Sequence, residues 1–160
     1  ESSAASDVYK RQRTFHALGR EILANDGVDV SRIVERSAVL GELAGGDLPP
    51  AQLRRLDDAF TRLKLDPERG PPAHEQETHA AFAAYQERLH SEGAIDLDDL
   101  VALAGPRLEA SAELLARWRA RAAVLFVDEA QDLDRTQLDL ALLLAGERRD
   151  IFAVGDDDQT

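Results

Sequence analysis

The sequence predicts an α/β chain with a large helical insertion: a mostly α-helical stretch, then one parallel βαβ unit. Three observations carry this. Over residues 14–122, apolar residues recur at spacings of three and four, the pattern of amphipathic helices. After Ala122 the pattern changes to two short unbroken apolar runs, 124–127 and 151–154. Between the runs stand a helix start at Asp134 and a helix stop at Gly146. Strand, helix and strand of these lengths make a parallel βαβ unit.

The elements follow in order. Residues 1–13, rich in Ser and Ala at their start, show no periodicity and read as a loose flank. Thr14 is placed to cap a helix carrying Phe15, Leu18, Ile22 and Leu23, which Asn25-Asp26-Gly27 ends. Ser31 is expected to cap a second helix that stops near Gly45-Gly46. Pro49-Pro50 opens a third, with Leu53, Leu56, Phe60 and Leu63 along one stripe. A loop from Asp66 to Pro72 leads to a fourth, which carries Phe82, Tyr85 and Leu89 and ends near Gly93. The acidic segment 96–99 starts a short helix that Gly105-Pro106 is expected to interrupt. One further helix should carry Leu108, Leu115, Trp118 and Ala122. The run 124–127 reads as a strand covered on both faces. Asp134 with Gln137 forms a capping box before the apolar run 138–145.

Composition narrows the function classes. Apolar residues make up 44% of the 160, so the chain can bury a core. There is no Cys, which excludes disulfides and thiolate metal sites and fits a reducing compartment. No apolar run reaches the roughly 18 residues of a membrane span, so a cytoplasmic protein without membrane partners is expected. The absence of Met and the end at Gln159-Thr160 suggest a piece of a longer protein. The formal net charge of −12 argues against tight non-specific nucleic-acid binding and requires any such site to be local. Candidate basic clusters are Lys10-Arg11 with Arg13, Arg54-Arg55 with Arg62 and Lys64, and Arg117 with Arg119 and Arg121. The plainer reading makes them solvated helix faces.

The chemistry concentrates at the strand ends. Asp128 and Glu129 follow the first apolar run, and Asp156 to Gln159 stand beyond the second. In parallel α/β sheets, ligands bind beyond the carboxyl ends of the strands. If the two strands are neighbours, both acidic ends face one crevice. Crowded carboxylates repel one another unless a cation neutralises them, and Mg²⁺ takes one or two carboxylates with waters and phosphate oxygens. An apolar strand ending in Asp is also the second metal element of P-loop nucleotide hydrolases. A neighbouring Glu can deprotonate the attacking water. Gln131 and Gln159 are neutral amides able to report the presence of a γ-phosphate.

The motif "VDEAQD" at 127–132 resembles motif II of the UvrD/Rep/PcrA-type superfamily 1 helicases, and "VGDDDQT" at 154–160 resembles the start of their motif III. "TFHALGREIL" at 14–23 and "IDLDDL" at 95–100 resemble two further family segments. The resemblance implies that residues 14–122 are a helical inserted subdomain. It makes residues 123–160 an incomplete RecA-like βαβ portion, the partial ATPase domain from motif II to the start of motif III. It implies that Asp128 holds Mg²⁺ and that Glu129 is the general base of ATP hydrolysis. Gln131 and Gln159 would link the γ-phosphate state to strand movement, with Gln159 and Glu129 beside the nucleotide. Thr14, Phe15 and His16 would lie by single-stranded DNA, with a duplex junction as a second DNA partner. Residue by residue, the plainer reading of that triplet is a cap, a core aromatic and an exposed His.

The resemblance thus implies an ATP-dependent DNA helicase or translocase with a role in DNA repair. The sequence departs from the family at some points. No Gly-x-x-x-x-Gly-Lys-Ser/Thr occurs in it, and Leu97 stands where the family often has Phe. The chain alone is therefore expected to be inactive and to need the remainder of its own protein. Two rival functions stand beside this one: a helical interaction module with a degenerate ATPase edge, and a divalent-metal nuclease using the same acids. His74, His79 and His90 are expected at the surface.

Overall fold

The computed structural model describes residues 12–46, 48–72, 74–147 and 150–155. Helix α1 (Phe15–Asn25) begins where the sequence indicates, with the Thr14 hydroxyl accepting the Ala17 N–H at 3.2 Å. That bond satisfies one of the donors a helix start leaves open. Gly19 on α1 lies against α5 (Asp99–Ala102), where a Cβ would overlap the Leu100 carbonyl. The two backbones meet at that glycine.

The next helix starts later than its sequence suggests. Ser31 does not cap it: its N–H and its hydroxyl both bond Asp29 Oδ1, at 2.9 and 2.6 Å. The chain then runs extended, because the Val34 N–H donates to the Ile95 carbonyl at 2.9 Å and the Ile95 N–H to the Arg32 carbonyl at 3.1 Å. This pairing holds residues 32–34 out of the helix, and α2 (Arg36–Leu43) follows without a side-chain cap. Helix α3 (Pro50–Leu65) has Pro in its first turn, where the missing N–H costs no bond. Helix α4 (Gln76–Glu92) ends at Gly93 in the left-handed region, φ 60°.

Two breaks fall elsewhere than expected. Gly105-Pro106 does not interrupt a helix but sits in the first turn of α6 (Ala104–Ala110), the break lying at Leu103. The helix expected to carry Leu108 through Ala122 is two helices. Ser111 adopts an extended backbone, ends α6 and caps α7 (Ala112–Arg121) by accepting the Leu114 N–H at 3.2 Å.

The apolar residues form two cores. One gathers Ile22, Leu65, Val101, Ala104, Leu108, Leu114, Trp118, Leu140 and Leu144. The other gathers Val39, Leu40, Leu56, Ala59, Phe60, Tyr85, Leu89 and Ala94, with Phe60 edge-on to Phe82 at 5.1 Å. Helix α3 contributes to both. The helical stretch and the βαβ unit share the first core through α8 (Arg135–Ala145).

Strand β1 (Leu125–Val127) pairs in parallel with β2 (Ile151–Ala153), in the register Leu125 to Ile151 and Val127 to Ala153. Helix α8 crosses between them, capped by Asp134, which accepts the Gln137 N–H at 2.8 Å, and closed by Gly146 at φ 64°. The strand is not covered on both faces. Phe126 is 73% and Phe152 58% exposed, their rings stacked at 5.3 Å on the open face. Leu125 packs inward against the first core. A run of four apolar residues reads the same whether one face or two are covered, so periodicity could not separate the cases. Among the described residues no helix is long and apolar enough to cross a membrane.

Candidate functional site

The parallel pairing brings the two strand exits side by side. Beyond β1, Asp128 and Glu129 are both exposed. The Val154 N–H donates to the Val127 carbonyl at 2.8 Å, and the Ala130 N–H donates to the Val154 carbonyl at 2.9 Å. The loop after β1 is therefore stitched to the residues that leave β2. Gln159 and Asp156 to Asp158 lie outside the described residues.

Glu129 has φ 50° and ψ 45°, and among the described residues it alone has positive φ without being glycine. Such a backbone is uncommon for a side-chain-bearing residue and is met at functional sites, where surrounding bonds hold it. Here the Glu129 N–H donates to Asp128 Oδ1 at 3.1 Å, and Gln131 Nε2 donates to Glu129 Oε2 at 2.6 Å. A turn at Ala130–Asp132 carries Gln131 back over Glu129. No ion pair reaches Asp128 or Glu129 among the described residues.

The donor set at this tip is hard carboxylate oxygen in the open. Among the described residues no group of three or more His, Asp or Glu could hold a metal ion by itself. The pair Asp128 and Glu129 suits a cation that draws its other ligands from water and phosphate, as Mg²⁺ does. The same observation gives the nuclease alternative no multi-ligand site among those residues.

Thr14, Phe15 and His16 lie on another element, the start of α1. The Thr14 hydroxyl is engaged as the cap, Phe15 packs against the first core and His16 is half-buried. Of the basic clusters, Lys10-Arg11 lies outside the described residues. Arg54, Arg55 and Arg62 are exposed, but Lys64 is not part of a solvated face: its side chain is 3% exposed. Arg121 lies over the Trp118 ring at 4.5 Å, and Arg119 Nε donates to the Leu143 carbonyl at 3.0 Å. His74 and His90 are exposed, and His79 is half-buried with Nε2 3.1 Å from the Pro71 carbonyl oxygen.

Sequence reasoning missed the buried ionic group where α2, α3, α4 and the start of α5 meet. Asp96 Oδ2 accepts from Arg36 Nη2 at 2.9 Å and from the Tyr85 hydroxyl at 2.7 Å, and lies 2.9 Å from Lys64 Nζ. Arg36 also reaches Asp98 at 2.6 Å and Asp57 at 2.8 Å, and Lys64 reaches Asp99 at 2.7 Å. Burial pushes the Asp96 carboxyl up, but the Lys64 and Arg36 charges overcome it and bring its pKa to about 2. Asp99 is pushed above the usual range by burial and by the nearby Asp96 charge, against the pull of Lys64. Burial and the bond to Asp96 likewise raise the Tyr85 hydroxyl. The two cations lie tens of positions from Asp96 and Asp99 in sequence, so no local spacing announces them.

Residues 9–160 match the family described as the UvrD/REP helicase N-terminal domain. The chain is 29% identical over 164 residues to the ATP-dependent DNA helicase Rep of Salmonella typhimurium, covering 92% of this chain and 24% of that protein. Rep of Escherichia coli gives the same identity and coverage. The ATP-dependent DNA helicase PcrA of Leuconostoc citreum is 31% identical over 166 residues, covering 92% of this chain and 22% of that protein. The chain thus spans about a quarter of the length of these relatives.

Proposed function

The chain belongs to the UvrD/REP helicase N-terminal domain family, and from that premise we propose that it is the motif II part of a cytoplasmic ATP-dependent DNA helicase. In this reading the whole protein hydrolyses ATP to move along single-stranded DNA. The stretch 14–122 is its helical insertion, and 123–160 belongs to a RecA-like ATPase domain. The supporting observation is the parallel pairing of β1 with β2, which sets the acidic exit of one strand against the exit of the other.

Glu129 is the general base. Its carboxylate takes a proton from the water that attacks the γ-phosphorus, a role worth roughly 10²–10⁴-fold in rate. Gln131 donates to Glu129 Oε2 at 2.6 Å, leaving Oε1 to receive that proton. Asp128 would hold Mg²⁺, which would neutralise charge on the phosphates. Gln159 is assigned to the γ-phosphate from the other strand exit. Thr14, Phe15 and His16 are assigned to single-stranded DNA, with Phe15 as the stacking surface and a duplex junction beyond it.

Phosphate release by the full-length protein with single-stranded DNA tests this. Glu129→Gln should abolish turnover while ATP and DNA still bind. Turnover near the parent level in Glu129→Gln would remove the general-base assignment. The chain by itself should release no phosphate above background with ATP and DNA. A robust rate that Glu129→Gln abolishes would show that it is self-sufficient.

A further inference from the structure

We propose that Gly155 is a positioning residue for Glu129, acting through the side-chain amide of Gln131. This rests on the general-base reading of Glu129 and adds to it a mechanical link from the exit of β2. Three observations carry the link. Gln131 Nε2 donates to Glu129 Oε2 at 2.6 Å, fixing one end of the amide on the base. The other end, Oε1, lies over Gly155 so closely that a Cβ there would overlap it. The same Cβ would stand 3.3 Å from the Gln131 backbone N and 3.4 Å from that of Ala130.

Gly155 does not have positive φ, so its φ does not require glycine. A Cβ there would instead push aside the Gln131 amide, whose Oε1 is the far end of an exposed side chain. The seat is also tied by backbone bonds, since Ala130 N–H donates to the Val154 carbonyl at 2.9 Å and Val154 N–H to the Val127 carbonyl at 2.8 Å. The amide is thus gripped between a strand exit and a carboxylate. Its chemistry fits both ends: a carboxylate in place of Gln131 would repel Glu129, and an aliphatic side chain would fill the seat but donate nothing. A shift of the β2 exit relative to β1 moves Gln131 and, through it, the base. Glu129, already in a left-handed backbone, also donates its N–H to Asp128 Oδ1 and accepts the Asp132 N–H at its carbonyl.

A double-mutant cycle in the full-length protein tests this, reading kcat and KM for ATP in phosphate release and ATP affinity by fluorescent-analogue binding. Displacing a catalytic group by about 1 Å lowers rate by roughly 10²-fold, so Gly155→Ala should lower kcat about 10- to 100-fold with KM and analogue affinity nearly unchanged. Gln131→Ala should lower kcat about 10-fold, and the double variant should lie close to Gln131→Ala, because removing the amide relieves the severe overlap and leaves only the two backbone approaches. Additive losses in the double variant, or parental kcat in Gly155→Ala, would overturn the proposal. If Gly155→Ala does not fold, Gln131→Leu decides: it keeps the seat filled and removes the donor. Reduced kcat at constant KM supports the link, and parental kcat refutes it. Glu129→Gln, run alongside, separates the two layers. If it retains turnover, the base assignment fails; if it is inactive while the cycle is additive, only the Gly155 link fails.

Discussion

Asp96, Asp98 and Asp99 stand close together at the start of α5, and Asp128, Glu129 and Asp132 stand close together after β1. The chain treats the two groups in opposite ways. It brings Arg36 and Lys64 from distant helices to the first group and buries Arg36, Asp96, Asp99 and the Lys64 side chain, with Asp98 half-buried and Asp96 2% exposed. It leaves Asp128 and Glu129 in solvent and places no ion pair on them among the described residues. Carboxylates neutralised from within the chain are structural, because buried charges demand full partners. Carboxylates left open at a strand exit keep their affinity for a cation that arrives from outside. The comparison teaches that acid density alone says little, and that the source of the compensating charge separates the two roles.

The largest expected effect strikes the open group. In the full-length protein, Asp128→Asn and Glu129→Gln should each reduce ATP turnover by roughly 10²–10⁴-fold. Being exposed, they should shift the urea midpoint by no more than about 0.5 kcal/mol equivalent. A large stability loss in either variant would put these acids in the structural class and break the contrast.

The reverse signature belongs to the buried group. Asp96→Asn leaves Arg36 and Lys64 short of a counter-charge and should cost about 3–5 kcal/mol, the range for breaking a buried pair by removing one partner. Urea unfolding followed by circular dichroism measures it. A loss under about 1 kcal/mol would show that Asp57, Asp98 and Asp99 already satisfy the two cations.

Acid titration sharpens the same point. The Asp96 pKa of about 2 is below the ordinary aspartate value of 3.8, so its contribution is fully present above that value and is lost as pH falls towards 2. That contribution is worth about 2 kcal/mol. Asp99 has the opposite sign. Its pKa is raised, so the folded state binds the proton more tightly and the fall in stability is softened as acid is added. Urea midpoints from pH 7 down to 2 should fall for the parent chain and run flatter for Asp96→Asn. Parallel curves would mean that Asp96 does not carry the linkage.

Legibility in the sequence followed the range of the interactions. Thr14, Asp134, Gly93 and Gly146 act on neighbours within a turn or so, and their capping roles could be read directly. The βαβ unit was equally legible, since two apolar runs flanking a capped helix admit few arrangements. Ser31 misled because Ile95, far along the chain, holds residues 32–34 extended and shifts the helix start to Arg36. At the candidate site, Asp128, Glu129 and Gln131 are marked in the sequence by type and spacing. Gly155 is not, because its importance is the volume of a side chain on the neighbouring strand's loop. Lys64 looked like one of a surface row because a helical stripe of basic residues does not show which member points inward.

Asp134 offers the smallest and finest test, because it belongs to neither group. Its carboxyl accepts the Gln137 N–H as a helix cap, yet burial raises its pKa, the Gln137 and Thr136 backbone bonds lower it, and the Asp66 and Asp98 charges raise it further. The cap stabilises, while the charge works against it at neutral pH. Asp134→Ala removes the cap and should cost about 1 kcal/mol. Asp134→Ser keeps an acceptor oxygen and discards the charge, so its stability at pH 7 should lie within about 0.5 kcal/mol of the parent. A raised carboxyl pKa weakens stability as pH rises through it, so the Ser variant should gain on the parent as pH rises above the ordinary aspartate value of 3.8. Equal losses for Ala and Ser would mean that the charge itself holds the start of α8. Asp134 would then join the acids whose charge stabilises the fold, although no ion pair reaches it among the described residues.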